Sequence, residues 1–155
     1  IYTAQRQGDK PKRALAVLQK KYDDGDHSRR TVFYLAREKF WAKRYMEAIP
    51  LYNEWLAMLP VRWEKYSGLL DLAACYEIIG ERNKANETRW KAADIFPTRA
   101  EAWAALALDS YKNNDRVRAI TFLNLCLSAV KPFDGFVVEQ WYNKDYIQKL
   151  INDWQ

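Results

Sequence analysis

The 155-residue sequence predicts an all-α solenoid of helix-turn-helix repeats, on three observations. The pairs Leu35-Ala36, Leu72-Ala73 and Leu106-Ala107 are each followed by an alanine 13 residues after the leucine: Ala48, Ala85 and Ala119. The copies start 37 and 34 residues apart, close to the ~34-residue period of two-helix repeats. Each copy then reaches a proline, Pro60, Pro97 and Pro132, which cannot continue a helix and biases its predecessor away from helical backbone. In such a unit the leucine and its small neighbour face inward on the first helix. The later alanine lies where the second helix crosses closely.

Taken in order, residues 1–28 read as a partial leading repeat. Residues 1–8 look like the end of an earlier helix, Pro11 suits the first turn of a helix carrying Ala14, Leu15, Leu18 and Tyr22, and residues 23–26 make a loop. The first full repeat, 29–60, places Val32, Leu35, Ala36 and Phe40 on one stripe, then Tyr45, Ala48, Tyr52, Trp55 and Leu56 on the next. Pro50 inside that second helix is expected to remove a hydrogen bond and bend the axis. The second repeat, 66–97, carries Leu69, Leu72, Ala73, Tyr76, Ala85 and Ala92, with Gly80 closing its first helix. The third, 98–132, opens on Thr98-Arg99-Ala100-Glu101, the pattern of a capping box in which Thr98 and Glu101 satisfy amides at the helix start. Trp103, Leu106, Ala107 and Ala119 follow in register. Residues 133–155 form the cap, with a last helix from Trp141 to Trp154 whose Tyr146, Ile147, Leu150, Ile151 and Trp154 cover the end of the stack. Gly8, Gly25, Gly80 and Gly135 fall at predicted breaks; Gly68 does not, and its place in a helix has no reason in the sequence.

Composition narrows the class. Apolar residues make up 49% and charged residues 29%, so the chain is long and apolar enough for one continuous core. Cys75 and Cys126 stand alone without a C-x-x-C motif, which predicts buried thiols in a reducing, cytoplasmic setting. No apolar run reaches the ~18 residues of a membrane span, and no leader pattern precedes the domain. A first residue of Ile, not Met, suggests a segment of a longer protein. Residues 1–44 hold twelve Lys and Arg against five acids, and the remainder thirteen against fifteen, so an acidic partner would favour the first third.

Arg30-Thr31-Val32-Phe33-Tyr34-Leu35-Ala36, Pro97-Thr98-Arg99-Ala100-Glu101-Ala102 and Phe136-Val137-Val138-Glu139 with Tyr142 resemble a tetratricopeptide array. More narrowly, they resemble the array that follows the catalytic domain of some family-2 glycosyltransferases. The resemblance covers nearly the whole chain and implies a right-handed superhelix. It departs from the family pattern at Lys39 and Ser110, where an aromatic is usual, and at Lys43 and Asn114, where the family places glycine. It further implies a parent enzyme that moves sugar from a nucleotide-sugar donor, in a separate domain with a metal-binding D-x-D. Asp24-Gly25-Asp26 matches that string literally, but lies between two predicted helices and not after a strand.

No catalytic, cofactor-binding or metal-binding set emerges. His27 beside Asp23, Asp24 and Asp26 lacks the convergent oxygens a hard cation requires, no base stands near Ser28, Ser67, Cys75 or Cys126, and no phosphate-cradling glycine loop occurs. The segment is expected to be no enzyme, whatever its parent does. By the tetratricopeptide resemblance, a concave groove is expected to be lined by Arg30, Phe33, Arg37, Trp41, Leu70, Glu77, Glu101, Leu108, Tyr111 and Lys112. Arginine and aromatics are the usual anchors of peptide grooves. The expected function is a protein-interaction or self-association module accessory to a glycosyltransferase. A free-standing peptide-binding scaffold is the alternative. Nucleic acid is disfavoured as a partner, because the basic residues are spread around helices and interrupted by acids.

Overall fold

The computed structural model describes residues 9–133 and 137–155. The helices are α1 (Asp9–Asp23), α2 (Arg29–Trp41), α3 (Tyr45–Ala57), α4 (Arg62–Ile78), α5 (Arg82–Ile95), α6 (Ala100–Lys112), α7 (Arg116–Leu127) and α8 (Lys144–Trp154), with a short 3-10 helix over Glu139–Tyr142. Among the described residues no strand occurs, and the fold is an all-α helical repeat. The helix end expected over residues 1–8, and Gly8, Gly135 and Phe136, lie outside the described residues.

The chain divides into two compact units, with the boundary between Thr88 and Arg89 inside α5. In the N-terminal unit α1 packs on α2, α2 on α3, and α3 on α4. Its core joins Val32, Leu35 and Ala36 of α2, Ala48, Leu51, Tyr52 and Trp55 of α3, and Leu72 and Cys75 of α4, with Leu15, Leu18 and Tyr22 of α1 against them. In the C-terminal unit α6 packs on α7 and α7 on α8. Trp103 and Phe122 stack there with Trp90 edge-on to both, and Trp141, Ile147, Ile151 and Trp154 of the closing segment are buried. Ala36, Ala73 and Ala107, with Ala48, Ala85 and Ala119, have no exposed surface at all. A larger side chain at any of them has no room to point into water.

The turns repeat as faithfully as the alanines. Lys43, Gly80 and Asn114 adopt left-handed backbone, φ 60°, 87° and 59°, and are 37 and 34 residues apart, like the leucines. Each is followed by a residue whose N–H reaches back to the helix: Arg44 to the Lys39 carbonyl, Glu81 to Tyr76 and Asp115 to Ser110, at 2.9, 2.8 and 2.9 Å. This hydrogen-bond pattern closes a helix around one left-handed residue, and it explains why glycine is the usual occupant. Lys43 and Asn114 form the same turn against the steric cost of their Cβ atoms.

Gly68 acquires a reason. It is buried in α4 against the indole of Trp55, and a methyl group built there would come 2.6 Å from Trp55 Cη2 and closer still to Cζ3. Glycine at this place lets a full indole, with no exposed surface, lie between α3 and α4.

Pro50 does stand inside α3, as expected, and the helix continues on both sides of it; the proline is exposed, so the carbonyl left without a partner can face water. Several local expectations change. α4 starts at Arg62, a full turn ahead of the repeat opening expected at residue 66. The capping box at Thr98 does not form: α6 has Arg99 as its N-cap with no side-chain cap. The Glu101 carboxylate instead accepts from the Tyr142 hydroxyl at 2.8 Å, the Arg99 guanidinium at 3.3 Å and the Val138 N–H at 3.4 Å. A buried carboxylate gains more from a cation and a phenol than from backbone amides alone. Finally, the closing helix begins at Lys144 and not at Trp141, because Asn143 caps it by accepting from the Tyr146 N–H.

Candidate functional site

The N-terminus of α2 is held by a small acceptor network. Ser28 is the N-cap, and Asp26 accepts from the Ser28 N–H at 3.1 Å and the Thr31 hydroxyl at 2.7 Å. Those bonds, Thr31 first and then Ser28, bring the Asp26 carboxyl down to about 2. With its first turn fixed, α2 presents Arg29 and Arg30 to solvent.

Beside them opens a cleft of about 310 Å³ lined by Arg29, Arg30, Phe33 and Tyr34 of α2, Trp55 of α3 and Glu64 of α4. Trp55 forms its base, tilted against Phe33 with ring centroids 4.7 Å apart and backed by Gly68. The Arg30 guanidinium lies 5.8 Å from the centre of the Tyr34 ring, within cation–π range. Tyr34 is 45% exposed. Among the described residues Arg29, Arg30 and Glu64 form no ion pair with one another or with any other side chain. Other polar side chains of this unit behave otherwise: Lys39 and Arg44 both engage Glu47, and the His27 ring lies 3.0 Å from the Glu54 carboxylate.

Of the groove expected from the sequence, Arg30 and Phe33 come together in this cleft. Arg37 is buried between Phe33 and Trp41, at 5.3 and 4.8 Å from their ring centres, and its Nε lies 3.7 Å from Asp71. It holds α2 to α4 and is not offered to a ligand. Tyr52 donates to the same Asp71 at 3.1 Å. Burial lifts the Asp71 carboxyl to about 6 even with Arg37 and Tyr52 acting to lower it. Trp41 remains partly exposed at the other end of α2, and Glu77 and Leu70 are half-buried on α4. In the C-terminal unit Glu101 is buried and committed to Arg99, Tyr142 and Val138, so it is unavailable to a partner. Tyr111 stacks on Trp154 at 4.2 Å, and the Arg116 guanidinium lies 5.6 Å from the centre of the Tyr111 ring. Leu108 is half-buried and Lys112 exposed.

Sequence reasoning missed Arg29, Tyr34, Trp55 and Glu64. The signal was present in part: a tryptophan followed 13 residues later by an unexplained glycine marks a place where one helix yields to a ring on another. Glu64 was out of reach while α4 was expected to begin after it.

The acidic loop is structural. Asp23 accepts from Gln19 and Asp24 from Lys20, while His27 stacks on Tyr22 at 4.0 Å and both engage Glu54. The loop is thereby tied to α3, and among the described residues no group of three or more side chains could hold a metal ion. Cys75 and Cys126 are buried free thiols, pushed by burial up to about 12; they stay protonated and unreactive.

These features define a helical-repeat protein of the tetratricopeptide type. Solved structures with the same fold include MamA, a tetratricopeptide-like helical-repeat protein. One crystal structure of MamA matches with a TM-score of 0.66 and 22% identity over 74% of this chain and 66% of that one. A second, MamA MSR-1 C2, matches with a TM-score of 0.66 and 16% identity over 74% and 64%. The chain thus spans just under two thirds of the MamA chains it matches. No protein-family model and no curated protein sequence matches it. Neither MamA structure carries a glycosyltransferase link, so that part of the resemblance rests on the short sequence strings alone. Among the described residues no helix is long and apolar enough to cross a membrane.

Proposed function

We propose that this chain is a non-enzymatic scaffold that binds a segment of a partner protein at the exposed N-terminal turns of α2. The observation that carries this reading is the cleft itself: three charged side chains that form no ion pair among the described residues surround aromatic walls, a combination suited to an anchoring side chain with polar neighbours. The buried cysteines suit a reducing, cytoplasmic setting. A peptide array probed with the purified chain tests the reading. Replacing Phe33 with Ala, at the cleft wall, should weaken the captured peptides about tenfold or more, as truncated anchors do, while Val117→Ala on α7 should leave them unchanged. Equal binding by both variants would sink it.

A further inference from the structure

The repeat register gives the α2 cleft a counterpart elsewhere in the molecule, and the counterpart is filled. Arg30 stands five residues before Leu35, and Glu101 five before Leu106, so the two occupy the same place on their repeats. At Glu101 the occupant is the turn of this same chain that leads into α8: Val138 donates its N–H to the carboxylate, and Tyr142, at the end of the short 3-10 helix, adds its hydroxyl. At Arg30 the equivalent place is open and the charge is reversed. A position that takes a short segment with an aromatic side chain in one repeat is therefore presented, with a cation in place of the acid, in another.

We propose that the α2 cleft receives a short segment of a partner protein in which one aromatic residue is flanked by an acidic residue on one side and a basic residue on the other. This rests on the scaffold reading and names its ligand. The aromatic side chain packs against the Phe33 and Tyr34 rings, which meet edge to face at 5.6 Å, above the buried Trp55, where ring packing favours flat groups. The acid meets Arg29 and Arg30, and the base meets Glu64 on the facing helix. Opposite charges on the two walls that do not close on each other remain for a third party to satisfy. A volume of about 310 Å³ sits at the lower edge of the ~300–1,000 Å³ of small-ligand sites, which suits one large side chain and the stems of its neighbours. Tyr34, at 45% exposure, carries the apolar surface of the cleft outward along α2, and Trp63, next to Glu64 in the sequence of α4, is 57% exposed. That continuation favours a chain over a free amino acid.

The test is an NMR titration of the full chain with acetyl-Glu-Phe-Lys-amide and acetyl-Lys-Phe-Glu-amide, following the Trp55 indole N–H and the amides of residues 29–34. One of the two orders should saturate at least tenfold more tightly than acetyl-Gln-Phe-Gln-amide. Glu64→Lys should abolish that advantage and confer it on acetyl-Glu-Phe-Glu-amide, with the melting temperature unchanged. Charged and uncharged probes of equal affinity would overturn the proposal. So would tighter occupancy of the same amides by free phenylalanine or by oligouridylate, the latter shifting the site to nucleic acid. Should the array peptides depend on Phe33 yet ignore these charges, the scaffold stands and the charge signature fails.

Discussion

Arg30 and Glu101 hold the same position in two repeats and meet opposite fates. Arg30 is exposed at the rim of an open cleft, whereas Glu101 is buried under the segment leading into α8, bonded to Arg99, Tyr142 and Val138. The repeat thus fixes where a side chain stands but not what it does. In the C-terminal unit the chain supplies its own occupant and the position becomes part of the core; in the N-terminal unit nothing within the described residues covers it. A stability role and a recognition role arise from one backbone place, and the neighbouring segment decides between them.

The sharpest way to break this comparison is to remove both side chains in turn. Glu101→Ala leaves the Arg99 charge buried without its carboxylate and should cost about 3–5 kcal/mol, whereas Arg30→Ala should stay within about 0.5 kcal/mol. Urea unfolding measures both, and hydrogen exchange of α8 amides should rise only for the first. Equal costs would mean that the two places are not equivalent.

Asp71 sharpens it with pH. Burial raises its carboxyl from 3.8 to about 6, so the folded chain holds this proton more tightly than the unfolded chain does. The stabilising contribution is complete below the ordinary value and is lost as pH rises through about 6. Relative to Asp71→Asn, the wild-type chain should lose about 1–3 kcal/mol between pH 4 and pH 7, read from urea midpoints across that range. A constant difference between the two proteins would contradict the burial of this carboxyl.

Gly68→Ala drives a methyl into the Trp55 ring and should destabilise by about 1–3 kcal/mol through overpacking. Gly25→Ala, at a left-handed turn with open space around it, should cost only the backbone strain of about 1–2 kcal/mol. The two separate on tryptophan fluorescence, which only the first should shift. Smallest of all, Asn114→Gly and Lys43→Gly should each raise stability by up to about 1 kcal/mol, because glycine accepts φ near 60° without steric cost. Loss of stability on either change would mean that these side chains contribute contacts outweighing the strain.

The repeating skeleton was legible because it is written in spacings. Leucine, alanine and proline recur at fixed intervals, and burial of the six small residues follows from close helix crossings. The cap was legible as an apolar stripe, yet its start was not, since Trp141 fits a helix or a short 3-10 turn equally well until Asn143 captures the Tyr146 amide. Glu101 shows why local motifs mislead: Thr98 and Glu101 have the spacing of a capping box, but Tyr142 arrives from 41 residues away and takes the carboxylate. The cleft was half visible. Arg30 and Phe33 follow from the tetratricopeptide resemblance, while Trp55 and Glu64 join them only through the packing of α3 and α4, which no single-helix pattern encodes.

Trp55 and Gly68 also constrain how this sequence could have arisen. An indole at 55 beside a Cβ at 68 carries the overpacking cost of about 1–3 kcal/mol, so the cheaper order is glycine first, or together with the gain of tryptophan. Reversal meets the same cost, since a side chain placed at 68 presses on the ring for as long as the ring is kept. The pair acts as a ratchet: once it had formed, the floor beneath the α2 cleft became difficult to dismantle one substitution at a time, and descendants of this chain should keep or lose the two residues as one.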